Sequence, residues 1–170
     1  KEDEAEKYFD EKTKEADKVI ENVEKEQNDN RKTVAFFYIT SNGAVSVRKS
    51  GDYVSKMIEL AGGEYVFKNL TDENALSTMN IQMEEFYATA KDADYLIYNS
   101  AIDGELYTMD ELIEKSSMLK DFKAVKNGDV WCTGKNMFQE TTGIADMIVD
   151  INSIVNGADG DLEYIHKLTE

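Results

Sequence analysis

The sequence predicts an α/β fold: a Rossmann-like three-layer α/β/α lobe with a mainly parallel four-stranded sheet, preceded by a long helix. Three observations predict it. Four short apolar or aromatic runs, at 32–39, 65–67, 95–98 and 129–132, each have strand character. Stretches of helical periodicity separate them, and that alternation calls for parallel strands joined by right-handed crossovers. At 170 residues and 41% apolar content, the chain can bury one domain's core and is not disordered.

Residues 1–27 read as a helix, because Ala5, Tyr8, Phe9, Ala16, Val19, Ile20 and Val23 recur at spacings of three and four. Asp3–Lys7, Asp10–Lys14 and Glu21–Lys25 place the acid four residues before the base, the favourable order. The apolar stripe is narrow, so this helix should lie across a surface. Asn28-Asp29-Asn30 ends it. The 32–39 run carries Val34, Phe36, Phe37 and Tyr38. Ser41-Asn42-Gly43 is a turn, and 45–47 a short extended piece. Ser50 is positioned to cap a helix over about 52–61, with Val54, Met57, Ile58 and Ala61 inward and Gly62 as its left-handed terminus. Residues 65–67 are the second strand and 68–79 a polar loop.

Asn80 or Thr78 can cap the next helix, about 81–91, which turns Met83, Phe86, Tyr87 and Ala90 inward. Residues 95–98 form the third strand. Thr108 or Asp110 opens a helix to about 118. An Asn127-Gly128 turn leads into the fourth strand, 129–132. The last long helix, 142–155, turns Ile144, Met147, Ile148, Ile151 and Ile154 inward before Asn156-Gly157 stops it. Residues 158–170 are weakly patterned. There is no proline, and the sequence offers no account of that.

Composition excludes several functions. The net charge is −16, and the first 30 residues hold 12 acids against 6 bases. That balance argues against nucleic acid and against anionic lipid, which both want a basic face. A single cysteine, Cys132, permits no internal disulfide and no CxxC redox pair. No apolar run reaches the ~20 residues of a membrane span. The chain starts at Lys1 inside a charged helix, as a fragment would. The one histidine, His166, sits in the polar tail, where a held and tuned general base is not expected. Neither GxxxxGK[ST] nor GxGxxG occurs. Enzyme chemistry is therefore not expected, and no cofactor or metal site.

In open α/β sheets, ligands meet the loops at the carboxyl ends of the strands. Those loops are 40–48, 99–107 and 133–141. They point to Tyr38, Arg48, Tyr107, Trp131, Met137, Phe138 and Gln139 as a ligand-binding wall of aromatics, amide and one guanidinium. Such a wall suits a large, flat or anionic ligand. Other readings stay open: core for Tyr38 and Trp131, a surface ion pair for Arg48.

One ordered set of segments adds a resemblance. Lys32-Thr33-Val34-Ala35-Phe36-Phe37-Tyr38 is followed by Leu60-Ala61-Gly62-Gly63-Glu64. Asp92-Ala93-Asp94-Tyr95-Leu96-Ile97-Tyr98-Asn99 and Asn127-Gly128-Asp129-Val130-Trp131 come next. Together they resemble the C-terminal lobe of ABC-transporter substrate-binding proteins of the iron-siderophore, haem and cobalamin class. The resemblance covers about residues 5–157. It implies that 1–30 is the helix connecting two lobes and 31–170 the C-terminal lobe, with an N-terminal lobe absent. It implies an exported protein, free in the periplasm or lipid-anchored at the cell surface. Its ligand would be an iron-siderophore, or else cobalamin or haem, held between the lobes and passed to a membrane permease. It places a docking carboxylate at Glu85, or at Glu84 beside it. Arg48 would then suit an anionic siderophore, Trp131 and Phe138 a corrinoid, and Met137 or Tyr107 haem iron. A monomer is expected. The rival classes are a small α/β enzyme and an interaction module acting through the 1–27 helix.

Overall fold

The computed structural model describes residues 2–26, 29–135, 137 and 143–170. In chain order the elements are α1 (Glu2–Glu26), β1 (Thr33–Ile39), β2 (Val45–Arg48), α2 (Tyr53–Leu60), β3 (Glu64–Tyr65), β4 (Thr78–Ile81), α3 (Met83–Ala90), β5 (Tyr95–Tyr98), α4 (Met109–Lys115), a 3₁₀ turn (Ser117–Asp121), α5 (Lys123–Asn127), β6 (Val130–Thr133), α6 (Gly143–Val155) and β7 (Ile165–Lys167).

The strands build one mixed sheet in the order β4-β2-β1-β5-β6-β7, with β3 also on β1. The four expected strands, β1, β3, β5 and β6, pair parallel to one another. Three further strands, β2, β4 and β7, are added, each antiparallel to its neighbour. The sheet is therefore wider than four strands, although its centre is the predicted one. β4 spans the end of the stretch expected to be loop and the expected start of the 81–91 helix, and β7 lies in the weakly patterned tail.

Side-chain alternation along β1 sorts the core into two faces. Phe37 meets Phe86 of α3 at 4.6 Å between ring centroids, and Phe86 stacks on Phe67 and Phe122. Val34 and Phe36 point the other way, where Ile58 of α2 lies near Val34. α1, α2 and α6 pack together on that face. The register carries Phe36 to Ile97 and Ile97 to Trp131, so these three share it.

α1 shows the narrow stripe. Ala16 is buried, Val19, Ile20 and Val23 are half-buried, and Tyr8 and Phe9 remain exposed. Glu21–Lys25 closes to 3.6 Å. α1 is fastened to α6 by Lys12 Nζ, 2.9 Å from Asp146 Oδ1. That hydrogen bond raises the Lys12 pKa.

The caps differ partly from expectation. Asp52, not Ser50, caps α2 by accepting from the Val54 amide at 2.9 Å. Thr78 and Asn80 belong to β4, and Gln82 stands at the start of α3 without a side-chain cap bond. Thr108 caps α4 in a full capping box with Glu111. Ile144, expected inward, is 56% exposed: the first turn of α6 is covered on the side of Gly143 and Asp146, and Met147, Ile148, Ile151 and Ile154 carry the buried face onward. The start expected for this helix at Thr142 lies outside the described residues.

Gly62 ends α2 as the sequence indicated. Its φ is +90°, its amide donates to Glu59 O, and the Gly63 amide donates to Ile58 O. The two bonds form a Schellman motif. A Cβ on Gly62 would stand 3.1 Å from Val23 of α1, so both backbone strain and helix packing oppose a side chain. Gly62→Ala is expected to lower stability by about 1–2 kcal/mol, read as a lower urea midpoint with an unchanged m-value.

Candidate functional site

The carboxyl ends of β1, β5 and β6 lie at one end of the sheet, because the three strands are parallel. β4 ends there too: its Ile81 is level with Val45, which is level with Ile39 at the end of β1. α3 therefore starts at that same end. Glu84 and Glu85 are exposed in its first turn. With no side-chain cap on Gln82, these carboxylates are the acidic groups nearest the helix's free amides, where its dipole favours them.

A hollow of about 310 Å³ opens beside this end. It is lined by Phe36, Phe37 and Tyr38 of β1, Ser46 and Arg48 of β2, Thr78 of β4, and Asn99, Ala101 and Ile102 after β5. The sheet register explains the assembly. Tyr38 is level with Ser46, and Arg48 with Thr78, so two alternate rungs present these side chains on one face. Alternation also puts Phe36 on that face. The loop after β5 closes the side: the Asn99 amide donates to Phe37 O, and Asn99 Oδ1 accepts from the Ala101 amide.

Arg48 is held from several directions. Its guanidinium lies 3.5 Å from Asp52 Oδ2 and faces the rings of Phe36 and Tyr53 at 5.9 and 5.8 Å. Its side chain is 15% exposed and that of Asp52 only 2%, so the pair is largely sequestered rather than a loose surface contact. The Tyr65 hydroxyl donates to Arg48 O and accepts from Arg48 N, and burial raises that hydroxyl's pKa. Arg48 is thus a fixed point of the wall with its charge already matched.

Of the residues expected to converge, Tyr38 and Arg48 do. Tyr107 does not line the hollow. Its ring stacks on His166 at 5.0 Å, and its hydroxyl donates to Glu105 at 2.6 Å. That bond lowers the Glu105 pKa and raises that of Tyr107. Trp131 is fully buried, with the Lys167 ammonium 5.7 Å from its ring, so it is a core residue and not a ligand wall. Met137 is buried as well. Phe138 and Gln139 lie outside the described residues. Phe36, Ser46, Thr78, Asn99 and Ile102 were not foreseen: pairing of β2 with β4 brings Thr78 in, and nothing local in the sequence announces that pairing.

The loops after β5 and β6 are tied together. Thr133 Oγ1 accepts from the Ser100 amide at 2.9 Å, and Glu105 Oε1 accepts from the Lys135 amide at 2.7 Å. Lys115 of α4 pairs with Asp103 in the first of these loops. Cys132 is buried between them, and burial pushes its thiol up to about 11, so it is inert at neutral pH. Among the described residues no cluster of three or more His, Cys, Asp or Glu could hold a metal ion. No described helix is long and apolar enough to cross a membrane.

Known proteins share the fold. An uncharacterised lipoprotein of Methanocaldococcus jannaschii is 33% identical over 140 residues, which is 82% of this chain and 31% of that protein. A structure from the ABC-type Fe3+-hydroxamate transport system of Saccharomonospora viridis superposes with a TM-score of 0.65 at 19% identity, covering 87% of this chain and 47% of that one. A periplasmic haem-binding protein of Pseudomonas aeruginosa gives 0.66 at 13% identity, covering 99% of this chain and 58% of that one. The chain thus spans about half the length of these solved structures and about a third of the lipoprotein. The structural likeness shows the shared fold. The family rests on sequence: residues 1–137 match it, and the chain belongs to the periplasmic binding protein family.

Proposed function

We propose that this chain is the C-terminal lobe of a bilobal solute-binding protein that serves an ABC importer, with residues 1–30 as the connecting helix. It binds a metal chelate, an iron-siderophore before cobalamin or haem, and performs no reaction on it. The observation that carries the reading is the hollow of Tyr38, Ser46, Arg48, Thr78 and Asn99 at the ligand-facing end of the sheet. Its volume is at the low end for a ligand site, as half of a two-walled cleft would be. Glu84 and Glu85, exposed at the same end, are the candidate carboxylates for registering a basic permease surface. The lipoprotein relative and the family's name support a place outside the cytoplasm, in the periplasm or on a lipid anchor.

Trp131 is the only tryptophan and is buried, so coloured chelates bound nearby should quench it by energy transfer. Saturable quenching by a ferric siderophore is expected, weakened about tenfold or more by Tyr38→Ala. Absence of quenching by siderophore, cobalamin and haem alike would overturn the metal-chelate reading.

A further inference from the structure

The sequence alone suggested that Arg48 favours an anionic ligand, but its surroundings in the fold point elsewhere. Its guanidinium is opposed by the Asp52 carboxylate at 3.5 Å. Asp52 cannot swing away freely, because its other oxygen accepts from the Val54 amide and caps α2. None of the other eight residues lining the hollow carries an amine, guanidinium or carboxylate. They offer hydroxyls from Tyr38, Ser46 and Thr78, an amide from Asn99, and apolar surface from Phe36 and Ile102. The wall is therefore electrically balanced, and it sits in a chain of net charge −16.

A multiply charged anion entering here would lose hydration without gaining an unmatched cation, and would meet the repulsion of the whole chain. An uncharged chelate with a periphery of carbonyl oxygens and methylenes meets neither cost. Resting on the binding-protein reading above, we infer that this wall selects metal chelates of no net negative charge, of the trihydroxamate type, over polyanionic ones of the tris-catecholate type.

The test is amide NMR of the 170-residue chain, titrated with the gallium(III) complexes of a neutral cyclic trihydroxamate and of a trianionic tris-catecholate. The neutral complex is expected to shift Tyr38, Ser46, Thr78 and Asn99. At about 0.05 M salt it should bind at least about tenfold more tightly than the trianion, and its affinity should stay flat up to about 0.5 M. Tighter binding of the trianion would overturn the charge selection while leaving the binding-protein reading intact. If neither complex shifts these residues, the hollow is no ligand wall and both readings fall. Asp52→Asn keeps an oxygen for the Val54 amide and removes the charge. It should move the affinity ratio about fivefold toward the trianion. An unchanged ratio, in a variant with a native-like amide spectrum, would overturn the role given to the Arg48–Asp52 pair.

Discussion

Phe86→Ala is expected to destabilise the chain by about 3–5 kcal/mol. Phe86 is fully buried and touches three other aromatic rings: Phe37 at 4.6 Å, Phe122 at 5.4 Å and Phe67 at 5.9 Å. These rings come from β1, the segment after β3, and the turn before α5, so truncation opens a cavity where three parts of the chain meet. Collapse into it is restricted, because Phe37 is itself held edge-on against Tyr98 at 5.7 Å. The mechanism predicts a loss well above that of Gly62→Ala. Phe86→Leu should recover most of it, since it refills much of the volume. The measurement is the urea midpoint of the three variants. A Phe86→Ala loss below about 1 kcal/mol would mean that α3 does not close this face. The same substitution loosens the helix that carries Glu84 and Glu85, so a docking defect in it could not be assigned to lost charge.

The parts of this fold that were legible are those where local pattern and burial agree. Val34–Phe37 and Leu96–Tyr98 are buried on both faces, and such strands read as continuous apolar runs. α2 and α6 show their buried faces at helical spacing. The strands that were not legible are short, antiparallel and near the sheet's edges. In β4, Thr78-Met79-Asn80-Ile81 buries only Ile81 fully, and a four-residue alternation is too brief to separate from loop. In β7, Ile165-His166-Lys167 buries only Ile165. Both strands are fixed by partners distant in sequence, β2 and β6, which no local window contains.

The candidate site was legible where one strand end decides the outcome, and illegible where cover by distant parts of the chain decides it. Tyr38 and Arg48 reach the hollow because β1 and β2 present them on one face. Trp131 comes from the amino half of β6, on the same face as Phe36 and level with Ile97 and Lys167, but two strands away from β1 and fully buried. Sharing that face therefore does not bring exposure. Tyr107 shows a different failure. It is in the expected loop, but the backbone bond from the Thr169 amide to Tyr107 O ties it alongside β7 and His166. Of the two readings open for Arg48, the ion pair is present: its partner is Asp52, four residues on, in a cap that the local pattern places at Ser50.

Asp150→Asn is expected to remove a loss of stability that the wild type suffers as the pH rises from 4 to 7. Asp150 is 4% exposed on α6, and burial pushes its carboxyl up to about 6 from the ordinary 3.8, with Asp146 and Glu163 adding to the rise. Its oxygens accept from the Tyr164 amide at 2.7 Å and the Glu163 amide at 3.4 Å, bonds that oppose the shift without cancelling it. Lys12 of α1 is engaged by Asp146, one turn earlier on α6. A carboxyl whose folded value lies above its unfolded one stabilises the fold when protonated. Its contribution is full below about pH 4 and is lost as the pH rises through about 6. At neutral pH the ionised group therefore costs up to about 3 kcal/mol relative to acid. Asparagine removes that ionisation and can still accept from Tyr164, at the loss of the longer bond to Glu163. The variant should be more stable than the wild type at pH 7 by about 1–2 kcal/mol and no more stable at pH 4, measured as urea midpoints across that range. Parallel pH profiles for the two proteins would show that Asp150 ionises in the fold as easily as in water.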